Sequence, residues 1–301
     1  MTNIGTEHPI VVGVDGSALA LHAVRWAARE AVRRHAPLRL VHVCFLMPVR
    51  HPRQIAPPPE YHDAILDQGR HWLNQAAEAA RTTAPDVQLG TDLRDGLVAA
   101  LLVGESESAQ LVVLGSRGVG GFRGLLVGSV SVALSAHAHC PVVVMHGPSG
   151  DGPPPESGPV VVGVDGSPLS EAAIEFAFAA AAERRVPLVA VHSWMDVNMS
   201  AGWAGLPDTI DWEWIGENEA LRLNESLAPW TEKFPGVEVR KVVERERPER
   251  ALLKAAADAQ LVVVGSRGRG ALTGLGLGSV SQSLLHHAEC PVVVARTETA
   301  R

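Results

Sequence analysis

Short β-branched runs alternate with longer stretches of helical period along this 301-residue chain. Ile10–Asp15 is almost continuously apolar, as expected of a strand covered on both faces. Ser17 stands where a helix needs its N-cap. From there to about His35, Trp26 and Ala27 share an apolar stripe, while Arg25, Arg29 and Arg33 fall on the opposite face. Leu38–Cys44 predicts the next strand, Tyr61 to about Ala84 a second helix, and Val87–Leu93 a weaker strand. Leu97–Ser108 predicts a third helix, Gln110–Gly115 a buried strand, Ser129–His139 a fourth helix, and Val142–Met145 a last strand. Five strands alternating with four helices predict an α/β domain with a mostly parallel, doubly wound sheet. Ligands of such sheets sit at the carboxyl ends of strands, where strand order reverses. That rule selects the loops after Val14 and after Leu114.

The whole pattern then repeats. Val11–Ser17 returns as Val161–Ser167, Val41-His42 as Val191-His192, and Leu111–Gly118 as Leu261–Gly268 with one change, each at an offset of 150 residues. Gly128–Ser131 returns as Gly278–Ser281 and Cys140-Pro141 as Cys290-Pro291, at the same offset of 150. The chain is therefore expected to hold two tandem domains, residues 1–146 and 160–301. Residues 147–159 are rich in Pro, Gly and Ser and read as a solvated linker with nothing to bury.

Composition narrows the function classes. A content of 46% hydrophobic and 20% charged residues is that of a globular protein. No apolar run reaches the roughly 20 residues that span a bilayer, and residues 1–9 lack a basic-then-apolar leader, so a cytoplasmic protein without membrane insertion is expected. The net charge of −7, with only three lysines, argues against nucleic acid as a partner. Cys44, Cys140 and Cys290 form no CxxC or zinc pattern and read as small buried side chains.

The loop after the fourth strand carries the strongest chemical signal. Residues 115–128 contain six glycines in 14 positions, and 11 of the 18 residues from 115 to 132 recur identically at 265–282. Glycines between a buried strand and a helix start allow positive φ and let backbone N–H groups approach a ligand. The helix opening at Ser129 adds its free N–H groups and the positive end of its dipole, which suits phosphate. Walker A is absent, because no lysine lies in the first copy, and the loop follows the fourth strand rather than the first as GxGxxG would.

The spacing Gly115-x2-Gly118-x9-Gly128-Ser129, with Gly265-x2-Gly268-x9-Gly278-Ser279, resembles the ATP-binding signature of the universal stress protein family. Val-Gly-Val-Asp-Gly-Ser in the first strand, Leu-Val-His-Val in the second and Cys-Pro-Val-Val-Val at the close are similar to that family too. The likeness covers about 9–146 and 159–296. It implies the tandem form seen in actinobacteria, with two Rossmann-like domains of the adenine nucleotide alpha hydrolase type. It also implies ATP as ligand, with Mg2+, and no catalytic residue.

Carried over by position, Gly13 and Asp15 lie beside ribose and phosphates, as do Gly163 and Asp165. Asp15 either opens an Asx turn, holds a ribose hydroxyl or metal ion, or does both. Backbone at Val43 and Ser193 meets the adenine edge. Gly115, Ser116, Arg117, Gly118, Val119, Gly120 and Gly121 wrap the ribose and phosphates. Gly128, Ser129 and Val130 hold the outer phosphates. The second copy offers Gly265, Ser266, Arg267, Gly268, Arg269, Gly270 and Ala271, then Gly278, Ser279 and Val280. Arg269 for Val119 and Ala271 for Gly121 distinguish its loop from the first.

His42 and His192 lie inside apolar strands and read as satisfied imidazoles rather than bases. His137, His139, His286 and His287 suit helix C-termini. Trp194, Trp203, Trp212 and Trp214 read as a packing lid, or as a partner surface. By the same resemblance the last strands, Val142–Met145 and Val292–Ala295, pair across a domain interface, which points to a homodimer; a regulatory protein partner is a separate expectation. A regulatory ATP-binding protein is the leading expectation. A slow ATPase or nucleotidyl transferase is the alternative, and a scaffold with vestigial sites a third.

Overall fold

The computed structural model describes residues 8–45, 59–119, 127–147, 152–194, 211–268 and 276–296. The chain divides into two compact units, Met1–Met145 and His146–Arg301.

In the first unit the order is β1 (Ile10–Gly13), α1 (Ala18–Arg33), β2 (Leu38–Cys44), α2 (Pro59–Thr83), β3 (Leu89–Asp95), α3 (Val98–Glu105), β4 (Leu111–Gly115), α4 (Ser129–His137) and β5 (Val142–Met145). These strands lie in the order β3-β2-β1-β4-β5, and every described pair among them is parallel. Parallel strands covered by helices on both faces need apolar residues at every position. Val11, Val12, Leu111, Val112, Val113 and Val142–Val144 are accordingly inaccessible to solvent.

The second unit repeats the plan with β6 (Val160–Gly163), α5 (Pro168–Arg184), β7 (Leu188–Ser193), α6 (Trp212–Lys233), β8 (Val239–Glu244), α7 (Pro248–Ala256), β9 (Leu261–Gly265), α8 (Ser279–His287) and β10 (Val292–Ala295). Its strands run β8-β7-β6-β9-β10, and the described pairs are again parallel.

Departures from the pattern reading have local causes. β1 stops at Gly13, although Val14 N–H still reaches Val41 O at 2.9 Å, because Val14 O accepts from the His42 ring instead of a neighbouring strand. β3 starts two residues late and runs on to Asp95, kept in register with β2 by the pairs Val43–Arg94 and Cys44–Asp95. α3 ends at Glu105, where Ser106 turns its hydroxyl back to Val103 O at 2.5 Å. The Pro-rich stretch is less solvated than its composition suggests: Pro154 is buried, and Gly158 O accepts from the Gln260 amide at 2.6 Å.

Candidate functional site

β1 and β4 are neighbours in the sheet, so the loops leaving their carboxyl ends emerge side by side, at the point where strand order reverses. Asp15 joins those loops. One carboxylate oxygen accepts Ser17 N–H at 3.0 Å, which makes the Asx turn, and the other accepts Val119 N–H at 3.0 Å. Both readings of Asp15 are thus compatible, since each oxygen keeps a second lone pair. Ser17 caps α1 by accepting Ala20 N–H at 3.1 Å.

The described loop glycines Gly115, Gly118 and Gly128, with Gly268 and Gly278, serve closeness and not left-handed backbone. The positive-φ glycines among the described residues are Gly16, Gly96, Gly158 and Gly166, none of them in the loops after β4 and β9. A Cβ on Gly118 would run into Asp15 Oδ2, and one on Gly268 would lie 2.6 Å from Asp165 Oδ2. At Gly115 a Cβ would stand 3.0 Å from Leu19 Cβ, so the loop crosses the start of α1 with no room to spare. Gly13 and Gly163 face inward: their Cβ positions meet Leu114 and Leu102 in one unit, Leu252 and Val264 in the other. They allow packing beneath the site.

The far end of the loop is tied back before α4 begins. Gly128 N–H reaches Ser116 O at 2.7 Å, Ser116 N–H reaches Met145 O at 3.1 Å, and Ser131 Oγ donates to Gly115 O at 2.8 Å. Gly128 is the N-cap of α4 and supplies no side-chain cap. The first N–H groups of that helix, at Ser129 and Val130, therefore point past its end toward the loop. The second unit copies these ties: Gly278 N–H to Ser266 O at 2.9 Å, Ser266 N–H to Ala295 O at 3.1 Å, and Ser281 Oγ to Gly265 O at 2.7 Å. Asp165 accepts Ser167 N–H at 2.9 Å, and Gly278 leaves α8, which starts at Ser279 and Val280, without a side-chain cap. Gly120, Gly121, Arg269, Gly270 and Ala271 lie outside the described residues.

The units differ at their first-helix caps. Ser167 makes no side-chain cap, and Ser170 Oγ turns to Ser167 O at 2.8 Å. Val43 and Ser193 stand at the carboxyl ends of β2 and β7, with Ser193 Oγ bonded to Glu246 O. Both strand histidines are buried and satisfied: His42 Nδ1 is 2.6 Å from Val14 O, and His192 Nδ1 is 2.7 Å from Val164 O. The sequence reading of satisfied imidazoles holds, but it did not name the partner of the second, Glu219 on α6.

Trp194 and Trp212 stack at 5.9 Å, and the Arg245 guanidinium sits 3.4 Å from the Trp212 ring centre. Trp194 and Trp212 thus pack on each other, Trp214 is exposed, and Trp203 lies outside the described residues. The cysteines are buried free thiols. Among the described residues no cluster of His, Cys, Asp or Glu could hold a metal ion by itself, and no helix is long and apolar enough to cross a membrane.

Comparison with known proteins agrees with the duplicated architecture. The model of the universal stress protein family matches residues 7–146 and again 157–296. A universal stress protein of Mycobacterium tuberculosis is 42% identical over 291 residues, covering 95% of this chain and 96% of that protein. One from Mycolicibacterium smegmatis is 42% identical over 304 residues, with coverage of 98% and 99%. The crystal structure of a universal stress protein from Archaeoglobus fulgidus shares the fold at a TM-score of 0.65 and 19% identity, covering 96% of this chain and 98% of that one.

Proposed function

The chain belongs to the universal stress protein family, and we propose that it is a regulatory protein of the stress response that holds one ATP in each unit and consumes it slowly or not at all. The observation that carries this reading is the junction of Asp15 with the loop after β4, beside an uncapped helix start. Its main parts are present again around Asp165, Gly268 and Gly278.

In this reading the N–H groups of Ser129 and Val130, and of Ser279 and Val280, bind the outer phosphates, each charge-assisted bond being worth about 1.5–3 kcal/mol. Backbone at Val43 and Ser193 meets the adenine edge. The remaining lone pairs of Asp15 and Asp165 take a ribose hydroxyl or the water shell of a phosphate-bound Mg2+, which usually keeps several waters. Both oxygens of Asp15 already accept backbone N–H groups, so the carboxylate acts as a brace for the loop rather than a base, which favours binding over hydrolysis. A cytoplasmic homodimer that presents its nucleotide state to a protein partner completes the proposal.

The test is direct. Nucleotide released on denaturing the purified protein should be ATP, near two per chain, and added ATP should survive hours with the protein. Turnover near ~10 per second would make it an enzyme instead. Sedimentation velocity reads the dimer.

A further inference from the structure

In the second unit a row of polar side chains runs from exposed Arg222 inward and ends on the backbone next to Asp165. Arg222 Nη1 donates to Glu219 Oε1 at 2.8 Å, Glu219 Oε2 lies 2.8 Å from His192 Nε2, and His192 Nδ1 lies 2.7 Å from Val164 O. The side chains of His192 and Glu219 are 2% and 11% exposed. A carbonyl only accepts, so Nδ1 must carry a proton. With Glu219 ionised, as the Arg222 guanidinium on its other oxygen favours, Nε2 carries a second, and the pair is an imidazolium facing a carboxylate.

The first unit is built differently at the same place. The position 150 residues before Glu219 is Gly69, and the one before Arg222 is Trp72. His42 bonds Val14 O at 2.6 Å and meets the Trp72 ring edge-on at 5.2 Å. A Cβ at Gly69 would lie 2.7 Å from His42 Cδ2, so no larger residue fits there unchanged. Among the described residues no carboxylate meets His42 Nε2, and one proton, on Nδ1, satisfies this ring.

We propose that His192 and Glu219 are positioning residues that make the nucleotide site of the second unit depend on a proton, while that of the first unit does not. This rests on the reading of Asp165 as part of a nucleotide site. When the imidazolium gives up a proton, the Glu219 charge retains the one on Nε2, because a charge-assisted bond outweighs a neutral one. Nδ1 is then bare and faces Val164 O, lone pair against lone pair, and the loop that carries Asp165 loses one of its two ties to β7, keeping only Val164 N–H on Val191 O at 2.9 Å. The other charged groups around the ring do not change this order. Asp165 is occupied by Ser167 N–H, Val243 is the register partner of His192 on β8, and the neighbouring Glu244 is held by Lys254 of α7 at 2.9 Å.

Nitrogen-15 NMR of the imidazoles in the full chain should show His192 protonated on both nitrogens near neutral pH and His42 on one. ATP titrations from about pH 6 to about pH 9 should show one site weakening roughly tenfold relative to the other, which serves as control for the nucleotide's own titration. Glu219→Gln should abolish that difference and keep two sites, because an amide can donate to Nε2 and leave the remaining proton on Nδ1. A bare ring nitrogen on His192 at neutral pH, parallel pH profiles for the two sites, or a pH difference that persists in Glu219→Gln would each overturn the proposal. If the chain binds no nucleotide, the function reading fails alone. Amide exchange of Ser167 against Ser17 then decides: a ratio that rises with pH supports the released anchor, and a constant ratio refutes it.

Discussion

Asp15 and Val119, 104 residues apart, are joined by a 3.0 Å hydrogen bond from the valine N–H to the aspartate carboxylate. The intervening Gly118 makes that bond possible, since a Cβ there would occupy the place of Asp15 Oδ2. The bond ties the loop after β4 to the loop after β1.

Replacing Gly118 with Ala should therefore expel the Asp15 carboxylate. The loss acts through Asp15, and not through a forbidden backbone angle, because Gly118 is outside the left-handed region. Calorimetry should count about two ATP per chain for the parent, one for Gly118→Ala or Gly268→Ala, and none for the double variant. Gly268→Ala should be the milder, its Cβ lying 2.6 Å from Asp165 Oδ2. Asp15→Ala should reproduce the Gly118→Ala count; retention of two sites in Asp15→Ala would remove the carboxylate from the mechanism.

The turn ahead of that site is tested separately. Gly16 has φ +86°, and the Trp72 indole fills the space where a Cβ would go. Gly16→Ala pays twice, in backbone strain and in displacement of a packed ring, for a cost of about 2–4 kcal/mol to the first unit. A urea melt followed by Trp72 fluorescence should show the loss. Gly166→Ala, at φ +74°, carries the strain and should cost about 1–2 kcal/mol.

Strand and helix order, and the duplication, were legible because each depends on local pattern: Val-rich runs such as Val142–Met145, a cap such as Ser17, a fixed offset between copies. The site was legible as a list of positions but not as a mechanism. Nothing local to Gly118 says that its neighbour is a carboxylate 103 residues earlier, and the expectation of positive φ, drawn from glycine's general freedom, does not hold at Gly115, Gly118 or Gly128. The same holds for His192. Its partner Glu219 sits on a helix whose rotation over the sheet is set by packing, so the strand's own pattern showed only a buried imidazole. Gly69 and Glu219 stand at matched positions of the two copies, and only their shared neighbour, the strand histidine, gives that difference meaning.

Cys290 should be chemically silent in the folded chain. Burial pushes its thiol up from the ordinary value of 9.0 to about 12. The thiolate is the reactive form, so a maleimide at neutral pH should label Cys290 only as fast as the second unit opens. Adding denaturant should speed labelling in proportion to the unfolded fraction. Prompt labelling in the native protein would mean that this thiol is reached by solvent.

The last prediction concerns acid. Arg39 Nη2 and Arg94 Nη2 each lie 2.7 Å from Asp92 Oδ2, and Glu105 meets the same two arginines at 3.1 and 3.2 Å, linking β2, β3 and α3. Burial alone would raise the Asp92 carboxyl, but hydrogen bonds from Arg94 and Arg39, and their charges, outweigh it and hold it below the usual range. A carboxyl depressed in the folded state binds its proton more readily when unfolded. Its contribution to stability is complete above the unfolded value of about 3.9 and is lost as pH falls through the lower folded value. The group is partly exposed, so solvent limits the effect to about 1 kcal/mol. Asp92→Asn should thus be less stable than the parent at pH 7 by about that amount in urea melts of the first unit, and the gap should close below about pH 3 and shrink in 1 M salt. The second unit provides the control, because Val189 and Val242 stand at the positions of Arg39 and Asp92. A gap that stays constant down to about pH 2 would assign the loss to packing rather than to the arginine pairing.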